Sequence, residues 1–380
     1  MRLYLDHNAT TPLRDEVVAA MSEVMRVNYG NPSSSHAEGA AARAAIERAR
    51  GEVAALLGVV ASELVFTAGA TEANNTALHG ALAARPERQH VVSTAIEHPS
   101  VSEPLAALEG RGVRVTRVGV DRDGRVDLDA LAAAVTEETA LVAVILANNE
   151  TGVLQEVAKI AEAAHAKGAW LHVDATQAVG KIPVDARALG ADLLACSAHK
   201  LNGPKGIGCL VTRKHVALPA HVSGGGQERR RRGGTENVSG IVGFGVACAL
   251  ARAELPQRAP RLAQSRDRLW AGIELAIPRV RRNGDARFVL PNTLNLEFEA
   301  TAGEVLLEAL DGEGIAVSAG AACHSGSIEP SRVLLAMGRS PQQARGSLRF
   351  SVGPGTTEAE IDRVLAILPE LVARVRAAGA

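Results

Sequence analysis

From residue 64 the chain alternates short apolar runs with longer segments of helical period, the pattern of βα units feeding a largely parallel sheet. The runs predicted as strands are 64–67, 90–94, 114–118, 141–146, 170–173, 192–197 and 208–212. Helices fall between several of them, for example 155–167, stopped by Gly168 as a C-terminal cap. Ahead of this region an extended arm, MRLYLDHNATTPL, leads into a helix from about Asp15, the polar loop NYGNPSSSH (28–36) and an Ala-rich helix, 39–57. The loop serves either as a plain connection or as a wall of the site.

Beyond Glu254 the texture changes: LPQRAP reads as a linker-like break before an amphipathic helix, 261–275. A second, smaller unit follows, with a strand at 293–297 and a helix at 302–311. The expected fold is therefore α/β, with a large domain at 13–256 built on a mostly parallel seven-stranded sheet. A smaller C-terminal α/β domain at 257–380 joins the arm 1–12.

The chemistry centres on two strand ends. Run 170–173 delivers Asp174 and run 192–197 delivers Lys200, and ligands of open α/β sheets sit at the carboxyl ends of strands. A lysine that forms an imine and an aspartate that keeps a pyridine nitrogen protonated together suit pyridoxal 5'-phosphate (PLP). Alone, Asp174 reads as a turn or cap residue and Lys200 as a solvated loop residue. Gln177, within reach of a ring hydroxyl, and the donors Ser197 and His199 beside Lys200 favour the joint reading.

Other polar positions follow strands. In AGATEANN, Ala70 and Thr71 open a helix whose backbone amides form either a phosphate cradle or an ordinary N-terminus. His98, biased to an extended backbone by Pro99, either stacks on a flat heterocycle or is a half-buried loop histidine. Asn149 in NNETG is a carboxylate or ring-oxygen ligand, or part of a plain turn. Arg349 in LRFSVG is a bidentate carboxylate ligand or half of a surface ion pair. The run RRRR between GGG and GG is a solvated patch, a phosphate wrap or a subunit boundary. Cys323, among Ala, Gly and Ser with His324 beside it, reads as a reactive thiol, whereas Cys196, Cys209 and Cys248 read as buried fillers.

Composition narrows the partners. A net charge of -1 and 2% aromatic residues give neither an electrostatic nor a stacking surface for nucleic acid. No apolar run reaches the roughly 18 residues of a membrane span, the richest (241–250) being interrupted by Gly243 and Gly245. The N-terminal segment lacks a secretory pattern, so a cytoplasmic location is expected. Four cysteines without CxxC spacing suggest neither a metal site nor a disulfide framework.

YLDHNATTP, GNPSSSH, FTAGATEANN, EHPSV, NNETGVLQ, HVDATQAVGK, SAHKLNGPKGIG, GGGQERRRRGGTENV, AGAACHSGSIEPSRVLLAMG and LRFSVG occur in order along nearly the whole chain. Together they resemble the NifS/IscS-type cysteine desulfurases, in the class V aminotransferase branch of fold-type I PLP enzymes. The resemblance implies conversion of L-cysteine to L-alanine, with the sulfur passed to Cys323 as a persulfide and then to an acceptor or scaffold protein, as in iron–sulfur cluster assembly. It implies that Lys200 carries the cofactor, that Asp174 pairs with the pyridine nitrogen, that Gln177 meets the ring hydroxyl and that His98 stacks on the ring and moves protons. It further implies phosphate contacts from Thr71, Ser197 and His199 and carboxylate contacts from Asn149 and Arg349. Thr235 would reach the phosphate of a neighbouring subunit, so a homodimer is implied. Two departures stand out. Pro354 replaces an Arg of many relatives, and SAGAACHS is closer to selenocysteine lyases than to housekeeping desulfurases. A selenocysteine lyase, a class V aminotransferase and a non-catalytic sulfur-transfer platform are the competing readings.

Overall fold

The computed structural model of the chain describes residues 2–319 and 329–378. Its strands are β1 (Leu3–Tyr4), β2 (Leu64–Thr67), β3 (His90–Thr94), β4 (Arg114–Val118), β5 (Thr139–Ile145), β6 (Trp170–Asp174), β7 (Leu193–Ser197) and β8 (Gly208–Thr212), then β9 (Val280–Arg282), β10 (Thr293–Phe298), β11 (Ile315–Ala316) and β12 (Ser347–Ser351). Seven of them form the main sheet in the order β2-β8-β7-β6-β5-β3-β4. All run parallel except β8, which is antiparallel to both its neighbours. The apolar runs thus mark the strands to within two residues. β5 begins at Thr139 rather than 141, and β6 includes Asp174, whose backbone still pairs with Ala195.

A second apolar cluster, around Leu296, Phe298, Leu348 and Phe350, fills the space between the β12-β10-β9 sheet and the C-terminal helix Glu358–Ala378. The arm crosses to it: β1 pairs in parallel with β11, and the Ser351 amide donates to the Leu5 carbonyl at 2.7 Å.

One expectation fails. LPQRAP is not a break but the middle of a single helix, Val238–Ala276, which runs through Pro256 and Pro260. A proline in a helix interior costs ~3 kcal/mol because it removes one hydrogen bond and crowds a carbonyl. Here both prolines lie on the solvent face, where freed carbonyls cost least because water is the alternative partner. The flanking segments are pinned in different cores, Phe244, Cys248 and Ala251 in the large one and Leu262, Leu269 and Ile273 in the small one. The glycines read as interruptions of an apolar run instead permit close helix contact. A Cβ on Gly245 would lie 2.7 Å from Ala49 Cα, and one on Gly243 would lie 2.7 Å from Met21 Sδ. By length and composition this helix could cross a membrane, with a window of mean hydropathy 1.5. In this fold Ile241, Phe244, Ala247, Cys248 and Ala251 of this helix are buried in the large core and Leu262, Leu269 and Ile273 in the small one, while Leu275 is exposed.

Candidate active site

A cavity of about 730 Å³ opens at the carboxyl ends of the central strands. Asp174, Gln177, Ser197, His199 and Lys200 line it from β6, β7 and the turns that follow them. Ala70, Thr71, His98, Asn149 and Arg349 complete the set brought together from distant segments. Thr235 lies apart, exposed on the loop after the arginine run. Cys323 and His324 fall outside the described residues.

Asp174 is 3% exposed and accepts two hydrogen bonds, from Asn74 Nδ2 at 2.8 Å and from the Thr176 amide at 3.0 Å. Asn74 is the centre of a buried relay. Its Oδ1 accepts from His172 Nε2 at 2.8 Å, and its amide also donates to Ser100 Oγ at 2.8 Å. Ser100 in turn presents both its amide (3.1 Å) and its hydroxyl (2.8 Å) to His98 Nδ1. This sequence of donors assigns His98 Nδ1 as the acceptor and puts the ring proton on Nε2. Burial lowers the His98 pKa, with nearby Asp174 opposing, so the ring is held neutral at neutral pH. The helix Pro99–Glu109 starts at this histidine, which is therefore both its cap and a wall of the cavity.

Lys200 sits on a tight turn after β7, and its ammonium donates to the carbonyls of Asn8 at 2.6 Å and Ala9 at 2.8 Å. The arm is stitched to the same turn through the Thr11 amide and hydroxyl, both donating to the His199 carbonyl at 3.0 and 2.8 Å. Burial, with the Arg349 charge adding, lowers the Lys200 pKa to about 8, against the pull of Asp6 and Asp174. Only the neutral amine attacks an aldehyde. Capture of PLP by cofactor-free protein should therefore accelerate as pH rises through about 8 and level off above it. A stopped-flow pH series checks this; a rate still climbing steeply near the ordinary lysine value would count against it.

Arg349 is buried and is not a surface ion pair. Its guanidinium donates to Asn149 O at 2.9 Å and Asp6 Oδ1 at 2.6 Å, while Nε has no partner among the described residues. Thr176 Oγ1, also lining the cavity, is likewise unpartnered. These orphaned buried groups fit a polar ligand. The first turn of helix Ala70–Ala84 has no side-chain cap at Gly69, so its amides are open to an anion beside Ser197 and His199. Gly208 permits that turn to lie where it does, since a Cβ there would stand 2.8 Å from Gly69 Cα. Cation, carboxylate, anion cradle and neutral imidazole in one cavity fit PLP together with an amino acid.

Sequence reasoning missed Asn8, Asn74, Ser100 and Thr176. The signal for Asn74 was an amide beside Ala73 and Ala77 on the buried face of the helix, a polar group that burial would force to find partners.

The aminotransferase class-V family model matches residues 3–364. A cysteine desulfurase of Enterobacter agglomerans is 47% identical over 98% of this chain and 93% of its own length. A solved NifS-like protein superposes with a TM-score of 0.93 at 37% identity, covering 98% of this chain and all of that one. A solved SspA in complex with cysteine has a TM-score of 0.83 at 32% identity, over 94% of this chain and all of its own.

Proposed function

Since the chain belongs to the class-V aminotransferase family, we propose that it is a PLP-dependent cysteine desulfurase, releasing L-alanine and leaving sulfane sulfur on Cys323. The observation that carries this reading is the buried Lys200 amine, poised near neutrality in the same cavity as Asp174. When bound, PLP supplies an aldehyde for that amine and a ring that accepts electrons. In this proposal the Ala70 and Thr71 amides with Ser197 and His199 hold the phosphate, Asp174 pairs with the ring nitrogen, Gln177 meets the ring hydroxyl and His98 covers the ring.

Arg349, whose Nε has no partner among the described residues, and Asn149 orient the carboxylate of L-cysteine. Lys200, once free, takes the Cα proton, and the carbonyls of Asn8 and Ala9 stabilise the ammonium so formed. His98, with its proton on Nε2, is assigned to proton transfer at the cofactor side. Cys323 is the nucleophile toward the substrate sulfur. Thr235 is assigned to the phosphate of a second copy, which makes the working unit a homodimer. The persulfide then passes to an acceptor or scaffold protein, as in iron–sulfur cluster assembly.

Incubation with L-cysteine and a thiol, following alanine and sulfide, tests the assignment. Cys323→Ala should lose sulfide release by two orders of magnitude or more, roughly the loss of an essential nucleophile, while the borohydride-sensitive visible band stays. Sulfide at the native rate from that variant would sink the thiol's role. Full turnover of an amino acid without it would point to an aminotransferase. Faster alanine release from selenocysteine than from cysteine would favour the lyase suggested by SAGAACHS.

A further inference from the structure

A second, small cavity of about 20 Å³ is lined by Lys200 together with residues that do not line the substrate cavity. About 10–15 Å³ suffices for one water, provided the walls offer two to four polar partners. Two such partners are present and unsatisfied. His7 Nδ1 and Arg258 Nε are buried without a hydrogen-bond partner among the described residues, and both residues are among those that line this cavity. Each residue is only 7% exposed, so bulk solvent does not satisfy them. Lys181 and Asn292 add further polar groups to the wall.

Its position gives the cavity a purpose. Among the described residues Lys200 alone lines both this space and the substrate cavity. On the other side Arg258, Leu262, Gly353 and Pro354 are shared with an outer cleft of about 740 Å³. Gly353 is part of the construction: a Cβ there would stand 2.0 Å from His7 Cε1, so only glycine leaves room for the ring. The ring is fixed on its other side by an edge contact with Tyr4, 5.1 Å between centroids.

We propose that His7 Nδ1 and Arg258 Nε hold an ordered water that links Lys200 to the outer cleft, giving the amine a route for proton exchange that bypasses the substrate mouth. The water accepts from Arg258 Nε–H and donates to His7 Nδ1, which puts the ring proton of neutral His7 on Nε2. A proton leaving the Lys200 ammonium passes to the water oxygen as the water releases one of its own to a solvent water in the outer cleft, which carries it away as hydronium. Lys200 ends neutral, and no electrons are transferred. The route's purpose rests on Lys200 being the base of the proposed reaction; the water itself does not.

A high-resolution crystal structure of the holoenzyme is the direct test. A water roughly 2.7–3.2 Å from both His7 Nδ1 and Arg258 Nε is expected, and a cavity with no density there overturns the proposal. In solution, His7→Phe keeps a ring against Tyr4 but removes the acceptor. With L-cysteine, kcat should fall about tenfold at unchanged KM and unchanged visible band, less than for a primary acid–base group because the mouth still exchanges protons. His7→Asn, whose Oδ1 overlies Nδ1, should recover most of the loss. An unaltered kcat in His7→Phe, or no recovery in His7→Asn, overturns the relay. Absence of alanine release by the native chain would instead defeat the desulfurase reading and leave the crystallographic outcome to decide the water.

Discussion

Lys200→Ala is expected to abolish release of both alanine and sulfide from L-cysteine, a loss of roughly 10⁴-fold or more, as when a covalent participant is removed. The fold should hardly register the change. The native amine is destabilised where it sits, burial and the Arg349 charge lowering its pKa to about 8, so truncation relieves an electrostatic penalty. Against that stand two lost hydrogen bonds to the Asn8 and Ala9 carbonyls, a net ~1 kcal/mol each. Lys200→Arg separates charge from chemistry. It keeps a cation in the cavity, but a guanidinium that never deprotonates does not form an imine, so it should be equally inactive. Thermal melts and product assays on both variants check this, and measurable turnover by either would end the assignment of Lys200.

What the sequence disclosed and what it withheld divide along physical lines. Period-two and continuous apolar runs are local signals, so β2, β3, β4 and β8 could be read to the residue. The residues after those strands were also legible, since chemistry concentrates at carboxyl ends. Proline in LPQRAP misled because a local helix breaker was weighed without the two cores that grip the flanking turns. The arm was read as extended, and it is, but nothing local indicates that Asn8 bonds Gln177, Lys181 and Thr293 at once. Such a hub exists only after strands from both ends of the chain have met. The inert reading of Cys196, Cys209 and Cys248 fits their burial; desolvation pushes the thiols of Cys209 and Cys248 well up. The arginine run is less solvated than its composition suggested. Arg231 donates to the Ser62 and Leu64 carbonyls, and Arg232 pairs with Glu72.

The residue before that run is where the second large effect is expected. Glu228→Ala should destabilise the fold by about 3–5 kcal/mol, a large part of the roughly 5–15 kcal/mol that a protein commonly has. Glu228 forms a two-point ion pair with Arg50, at 2.7 and 2.9 Å, and its Oε2 also accepts from the Phe66 amide at 3.0 Å. Both side chains are buried, 3% and 5% exposed. Truncation strands a charged guanidinium over the Phe66 ring with its other acceptors, the Leu64 carbonyl and Glu47, unable to replace the loss. The backbone adds to the effect. Glu228, Arg229 and Arg230 all have φ between 45 and 64°, a left-handed run that side chains disfavour and that the buried pair helps hold. Releasing it should loosen the segment leading to Thr235 and, if Thr235 reaches the phosphate of a second copy as proposed, weaken cofactor retention. Urea unfolding at fixed protein concentration gives the stability change. Replacing both partners, Arg50→Met with Glu228→Leu, should recover much of it, because the cost lies in a buried charge left with only the half-exposed Glu47 opposite it rather than in the missing attraction. A midpoint unmoved by Glu228→Ala, or a double variant no better than the single, would show that this pair does not anchor the loop.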